Sequence, residues 1–262
     1  MQPAKCGMPE ATDTAAQRDS RTLDPGEVDR FARLASEWWD PAGKFRTLHQ
    51  IGPTRLGYIR DELVRHFQRP TESMKPLSGL TLLDIGCGGG LICEPLARLG
   101  GQVTGLDPAI ENVEAARRHA DGQGLAIDYV SGTVEDLQGQ GRTFDAVVCL
   151  EVVEHVPDVG AFFKSCAALV RPGGLMLLST INRTMKAYLL AIVGAEYVLR
   201  WLPVGTHQWN RFVTPDELAG HVAAAGLGDF ASAGLVYNPL ADAWSIAGDT
   251  DVNYMARAAR PA

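Results

Sequence analysis

Basic residues are in the minority: 24 Lys and Arg stand against 31 Asp and Glu, the formal charge is −7, and no long Lys/Arg run occurs. The charged footprint that a phosphate backbone requires is missing, so no nucleic-acid partner is expected. Cysteines are few and odd in number. The five (Cys6, Cys87, Cys93, Cys149 and Cys166) lack paired metal-ligand spacing and read as reduced thiols of a cytosolic protein. An uninterrupted membrane-length run is also lacking. The most apolar stretch, residues 187–204, is broken by Glu196 and Arg200 at i,i+4 and ended by Pro203, which argues against a span through hydrocarbon. Residues 1–24, rich in Ala, Thr, Asp and Pro, have neither a basic start with an apolar core nor an Arg-rich amphipathic pattern. They read as a disordered tail without an export signal.

What is present is a globular composition: 46% hydrophobic and 21% charged residues over 262 positions, enough for one large domain with additions. Val28, Phe31, Leu34 and Ala35, then Leu56, Ile59, Leu63 and Phe67, recur at helical spacing around a turn at Trp38-Trp39-Asp40-Pro41. Residues 25–77 are therefore expected to form a helical segment and a linker, with a second unit over 78–262. From Leu80 onward, short apolar runs at 80–85, 103–107, 127–130, 144–150 and 175–180 alternate with helical patterns at 91–99, 109–120 and 159–170. That alternation predicts a doubly wound α/β fold, a mostly parallel sheet with helices on both faces. Thr214-Pro215-Asp216-Glu217 has an N-cap, a proline at the first helical position and a glutamate three residues on, so a helix should run to about Ala225. Closing strands are expected near 230–237 and 253–258.

The run Asp84-Ile85-Gly86-Cys87-Gly88-Gly89-Gly90 joins the first strand to a helix through glycines that permit a sharp turn and close backbone approach. Leu91 occupies the place where a dinucleotide fingerprint needs its third glycine, which favours a nucleoside without phosphates. Asp107 ends the next strand, 21 positions after Gly86, and is placed to accept the ribose hydroxyls. Without a ligand, the same residues would make an ordinary strand-to-helix turn and a helix N-cap.

Asp84 before Gly86 and Gly88, followed by Asp107, resembles the S-adenosylmethionine (SAM) site of class I methyltransferases, whose Rossmann-like fold is the doubly wound one expected here. A longer set of motifs narrows the resemblance. Ser36-Glu37-Trp38-Trp39-Asp40, Leu48-His49-Gln50-Ile51, Arg55-Leu56-Gly57-Tyr58, residues 151–158, Gly205-Thr206-His207 and Asp251-Val252-Asn253-Tyr254-Met255 are similar to the ubiquinone biosynthesis O-methyltransferases. The likeness covers nearly the whole chain after Asp24. It implies methyl transfer from SAM to hydroxyls of a polyprenylated phenol or quinol, at two steps of that pathway, with other enzymes of the pathway as partners. It also implies that Arg55 reaches the SAM carboxylate, that Leu150 lines the cofactor, and that residues 132–136, with Glu135, form the adenine-contacting loop. For Arg55 a surface salt bridge is the plainer alternative.

A methyl on a sulfonium already has a good leaving group, so the enzyme's tasks are to align the acceptor oxygen and take its proton. Glu151, Glu154 and His155 follow a strand, and a helical turn would put all three on one face. Two carboxylates and an imidazole there could hold a divalent cation, and the resemblance points to Mg2+, although imidazole is an unusual ligand for so hard an ion. The plainer reading is a helix-start cluster of acids. His155 and His207 are the candidate general bases.

The insertion at 183–212 holds the apolar stretch 187–204, with Tyr197 and Trp201 suited to a membrane interface. It reads as an amphipathic lid on the inner face of a membrane, admitting the polyprenyl tail, or else as a helix pair packed on the domain. Three other functions bear testing: a SAM-dependent methyltransferase of another phenol, a nicotinamide-dependent oxidoreductase, which Leu91 argues against, and a lipid-binding module without catalysis.

Overall fold

The computed structural model describes residues 22–189 and 208–262. Helix α1 (Pro25–Ala32) opens on Asp24, whose side chain accepts from the Gly26 N–H, and on a proline whose missing N–H costs nothing at that position. After a 3-10 turn at Ala35–Glu37 comes α2 (Arg46–His66), which buries Ile51, Ile59 and Leu63 along one face.

The remaining elements follow the expected alternation: β1 (Thr81–Ile85), α3 (Cys93–Arg98), β2 (Gln102–Asp107), α4 (Ile110–Gly122), β3 (Asp128–Ser131), α5 (Val134–Gly139), β4 (Phe144–Leu150), α6 (Val159–Leu169) and β5 (Val170–Ile181). Then come the short α7 (Met185–Ala187), α8 (Pro215–Ala224), β6 (Gly228–Asn238), β7 (Ala243–Ala247) and β8 (Asn253–Ala259). Helix α8 carries the expected reciprocal cap, with Thr214 accepting from the Glu217 N–H and Glu217 accepting from the Thr214 N–H.

The eight strands lie in one sheet of order β3-β2-β1-β4-β5-β8-β6-β7. The first five are parallel, and β8, β6 and β7 join antiparallel. The sequence expectation thus holds for the parallel half. Strand β7 was not anticipated, and the loop expected at 132–136 continues into α5. Helices cover both faces, burying two apolar clusters: one centred on Leu83, Phe163, Leu178 and Tyr254, the other on Ile59, Leu82, Leu96 and Leu177.

Chain order reverses between β1 and β4. Outside the carboxyl ends of those two strands the helices diverge and leave a crevice, the usual ligand position in open α/β sheets. Among the described residues no helix is long and apolar enough to cross a membrane.

Candidate functional site

The glycine turn begins where β1 ends. Gly86 (φ +70°) and Gly88 (φ +52°) adopt the left-handed backbone that only glycine takes cheaply. Space forbids a side chain as well. A Cβ on Gly88 would stand 2.4 Å from the Trp38 ring, and one on Gly86 would stand 2.5 Å from Val152.

Asp107 closes this turn from the end of β2. Its Oδ2 accepts from the Gly88 N–H at 3.0 Å, and its Oδ1 accepts from the Ala109 N–H at 2.9 Å and from Asn112 Nδ2 at 3.1 Å. Burial raises its pKa, and these three hydrogen bonds offset only part of that rise. The expected ribose acceptor is therefore also the tie that holds the glycine turn. Asn112 in turn accepts from Trp38 Nε1 at 2.8 Å, and Trp38 stacks on Phe45 at 3.7 Å. Trp39 donates to the Gly89 carbonyl and stacks on His119. The segment between α1 and α2 is thus pinned over the cofactor turn by two adjacent tryptophans. Sequence reading marked that pair as a turn and missed both Asn112 and the ring contacts.

Asp84, beneath the turn, is 4% exposed; burial pushes its pKa up to about 7, although the Cys93 thiol donates to its Oδ2 at 3.2 Å. Glu135 sits in the first turn of α5, with Oε1 buried and unpartnered, and Leu150 is the last residue of β4.

Just beyond Leu150, Glu151 has φ +54°, so residues 151–155 do not form the helical face that their spacing suggested; only Val153–His155 make a 3-10 turn. The three side chains take separate partners. Glu151 Oε1 accepts from Arg55 at 2.6 Å and from Ser179 Oγ at 2.7 Å. Glu154 Oε2 accepts from Thr180 Oγ1 at 2.9 Å; burial, with the charge of Glu151, raises its pKa, and its Oε1 has no partner. His155 Nδ1 lies 2.9 Å from Glu27 Oε2 on α1, and its ring meets Phe31 edge-on at 5.4 Å. Burial opposes the imidazolium, but Glu27 and the charge of Glu154 outweigh it and raise the His155 pKa.

Among the described residues no three His, Cys, Asp or Glu side chains are grouped to hold a metal ion. The three side chains expected to hold magnesium, Glu151, Glu154 and His155, line one cavity but do not converge as a three-ligand group: Glu151 and His155 are engaged by other partners, and Glu154 keeps one unpartnered oxygen. The surface salt bridge weighed for Arg55 is instead a buried one to Glu151. Its side chain is 6% exposed, and its Nε is buried without a partner.

One cavity of about 1130 Å³ gathers Arg55, Asp84, Gly86, Gly88, Asp107, Glu135, Leu150, Glu151, Glu154 and His155 into its wall. Glu27 and Asn112 line it too. His207, and most of the apolar stretch 187–204, lie outside the described residues.

A glycine turn tied to an acid at the next strand end, on a sheet of five parallel strands followed by three antiparallel ones in this order, defines a class I SAM-dependent methyltransferase fold. A family model described as a methyltransferase domain matches residues 83–178. Magnesium protoporphyrin IX methyltransferase of Synechocystis PCC 6803, solved with S-adenosylhomocysteine, superposes with TM-score 0.60 at 20% identity, over 93% of this chain and 97% of that one. A SAM-dependent methyltransferase of Thermotoga maritima gives TM-score 0.63 at 16% identity, over 89% and 98%.

Sequence relatives narrow the class. The ubiquinone biosynthesis O-methyltransferase of Rhodopseudomonas palustris (strain BisB18) is 55% identical over 92% of this chain and 94% of its own length. That of Bradyrhizobium diazoefficiens is 55% identical over 95% and 97%. The chain belongs to the ubiquinone biosynthesis O-methyltransferase family.

Proposed function

We propose that the protein transfers the methyl group of SAM to a hydroxyl of a polyprenylated phenol or quinol in ubiquinone biosynthesis. The observation that carries this reading is the crevice at the ends of β1 and β4, where Asp107 holds the Gly88 N–H and both line a cavity that continues past His155. The family supplies the reaction class, and the cavity has room for two ligands side by side.

The residues fit a nucleoside. The left-handed glycines leave a bare backbone for the amino acid portion, Asp107 retains one lone pair, on Oδ2, for a ribose hydroxyl, and Glu135 and Leu150 flank the adenosine. Arg55 is the cation available to the cofactor carboxylate. SAM supplies a methyl on a sulfonium, which leaves as a neutral thioether. The protein's part is alignment and proton removal. The phenolic oxygen forms the new bond to the methyl carbon, and its proton passes to His155. With Nδ1 held by Glu27, the imidazole presents Nε2, and the carboxylate stabilises the imidazolium that results. Among the described residues no three-ligand group is assembled, and no step is routed through a cation.

The same reading places the protein at a membrane surface. Met185 and Leu189 are 66% and 55% exposed where α7 leads into the apolar insertion, and a greasy acceptor is most concentrated there.

Calorimetric titration with SAM and, separately, NADH tests the cofactor assignment. Saturable SAM binding that weakens in Asp107→Ala is expected; NADH binding without SAM binding would overturn it.

A further inference from the structure

The cavity wall differs in chemistry from one stretch to another. Glu94, Arg98, His119 and Gln123, joined by ion pairs and a hydrogen bond, make a polar stretch. An apolar stretch lies between α2 and the β6–β7 hairpin. It is made of Ile51 and Leu56 from α2, Leu150 from the end of β4, Leu235 from β6 and Trp244 from β7; all five line the cavity and share one apolar cluster. Thr54 Oγ1 donates to the Trp244 carbonyl at 3.1 Å and fixes the two sides of this stretch against each other. Gly52, one residue after Ile51, also lines the cavity, and a Cβ built on it meets nothing within 4 Å. The helix therefore leaves open space at the position where a side chain would project. At the outer end stand Pro239 and the hairpin tip, with Leu240 97% exposed.

We infer that the channel between α2 and the β6–β7 hairpin is the binding site for the isoprenoid chain of the acceptor. The inference rests on the proposed methyl transfer and adds to it a subsite that the apolar insertion does not provide. An isoprenoid chain has no hydrogen-bonding group, so it packs on Ile51, Leu56 and Leu235 at no polar cost and leaves Trp244 Nε1, which already has no partner, as it was, whereas the polar stretch would require it to desolvate charged side chains. The chain enters beside Leu150, next to the transferring methyl, and leaves past Leu240 on the outer surface. Lys186 and Asp249, paired at 2.6 Å, line the same cavity and join α7 to the segment after β7, so the exposed Met185 and Leu189 adjoin the cavity wall.

Gly52 provides the test because a larger residue there enters open space beside the cavity, and the strain that Pro53 imposes on a side chain just before it in the helix is followed separately by the melting temperature. The full-length protein is assayed with two acceptors: a catechol bearing one isoprene unit, and the same catechol bearing a long isoprenoid chain in detergent micelles. Gly52→Phe should lower the long-to-short ratio of kcat/KM at least tenfold and Gly52→Leu by a smaller factor, each assayed well below the variant's own melting temperature. An unchanged ratio in both variants overturns the channel. The second arm needs no turnover. A photoreactive isoprenoid should label peptides containing residues 51–56 or 235–244, and labelling confined to residues 183–212 overturns the channel. Failure of the unaltered protein to methylate either acceptor refutes the proposed activity instead, while the labelling result still decides the channel.

Discussion

Gly88→Ala combines two penalties that the structure separates. The backbone there is left-handed at φ +52°, which costs a residue with a Cβ about 1–2 kcal/mol. The new Cβ would also stand 2.4 and 2.5 Å from two carbons of the Trp38 ring, and relieving overpacking of that kind costs about 1–3 kcal/mol. The single substitution should therefore destabilise the protein by about 2–5 kcal/mol. Trp38→Leu keeps an apolar side chain but removes the ring atoms that collide. In that background only the backbone cost should remain, so Gly88→Ala should cost about 1–2 kcal/mol. The coupling, about 1–3 kcal/mol, is read from urea denaturation of the four proteins in the cycle. Equal costs of Gly88→Ala in both backgrounds would refute the claim that Trp38 packs on the cofactor turn.

Two further outcomes follow from the same site. Asn112→Ala leaves Trp38 Nε1 without its acceptor and takes one donor from Asp107, so SAM should bind roughly 5- to 30-fold more weakly, by calorimetry, at little change in acceptor KM. Asp84 titrates in the folded, cofactor-free protein near pH 7 rather than at its ordinary 3.8, so the native state holds a proton that the unfolded chain releases. That contribution is complete below about pH 4 and is lost as pH rises through 7, about 4 kcal/mol in all, and Asp84→Asn should flatten the stability profile between those limits.

The parallel half of the sheet was legible because its signals are local. Each strand is a short apolar run ended by a turn, and α8 announces itself by Thr214, Pro215 and Glu217 within four positions. Strand β7 was missed because Ala243-Trp244-Ser245-Ile246-Ala247 is short and half exposed, and its pairing with β6 is a tertiary fact. The glycine turn and Asp107 could be read as a pair from their spacing. The contacts that complete the site could not. Trp38 meets Asn112 across 74 positions, and Glu27 reaches His155 from a helix that buries none of its own residues. The helical face expected for Glu151, Glu154 and His155 failed for a different reason. Spacing describes a face only if the backbone is helical, and Glu151 is left-handed.

Transfer of a radiolabelled methyl from SAM to a short-chain demethylubiquinol, by the unaltered protein and by Asp107→Ala, joins cofactor, crevice and acceptor in one reading. Label in the extracted quinol, lost in the variant at subsaturating SAM, is the predicted result. Saturable SAM binding with no label in the quinol, or label that Asp107→Ala leaves undiminished, would contradict it.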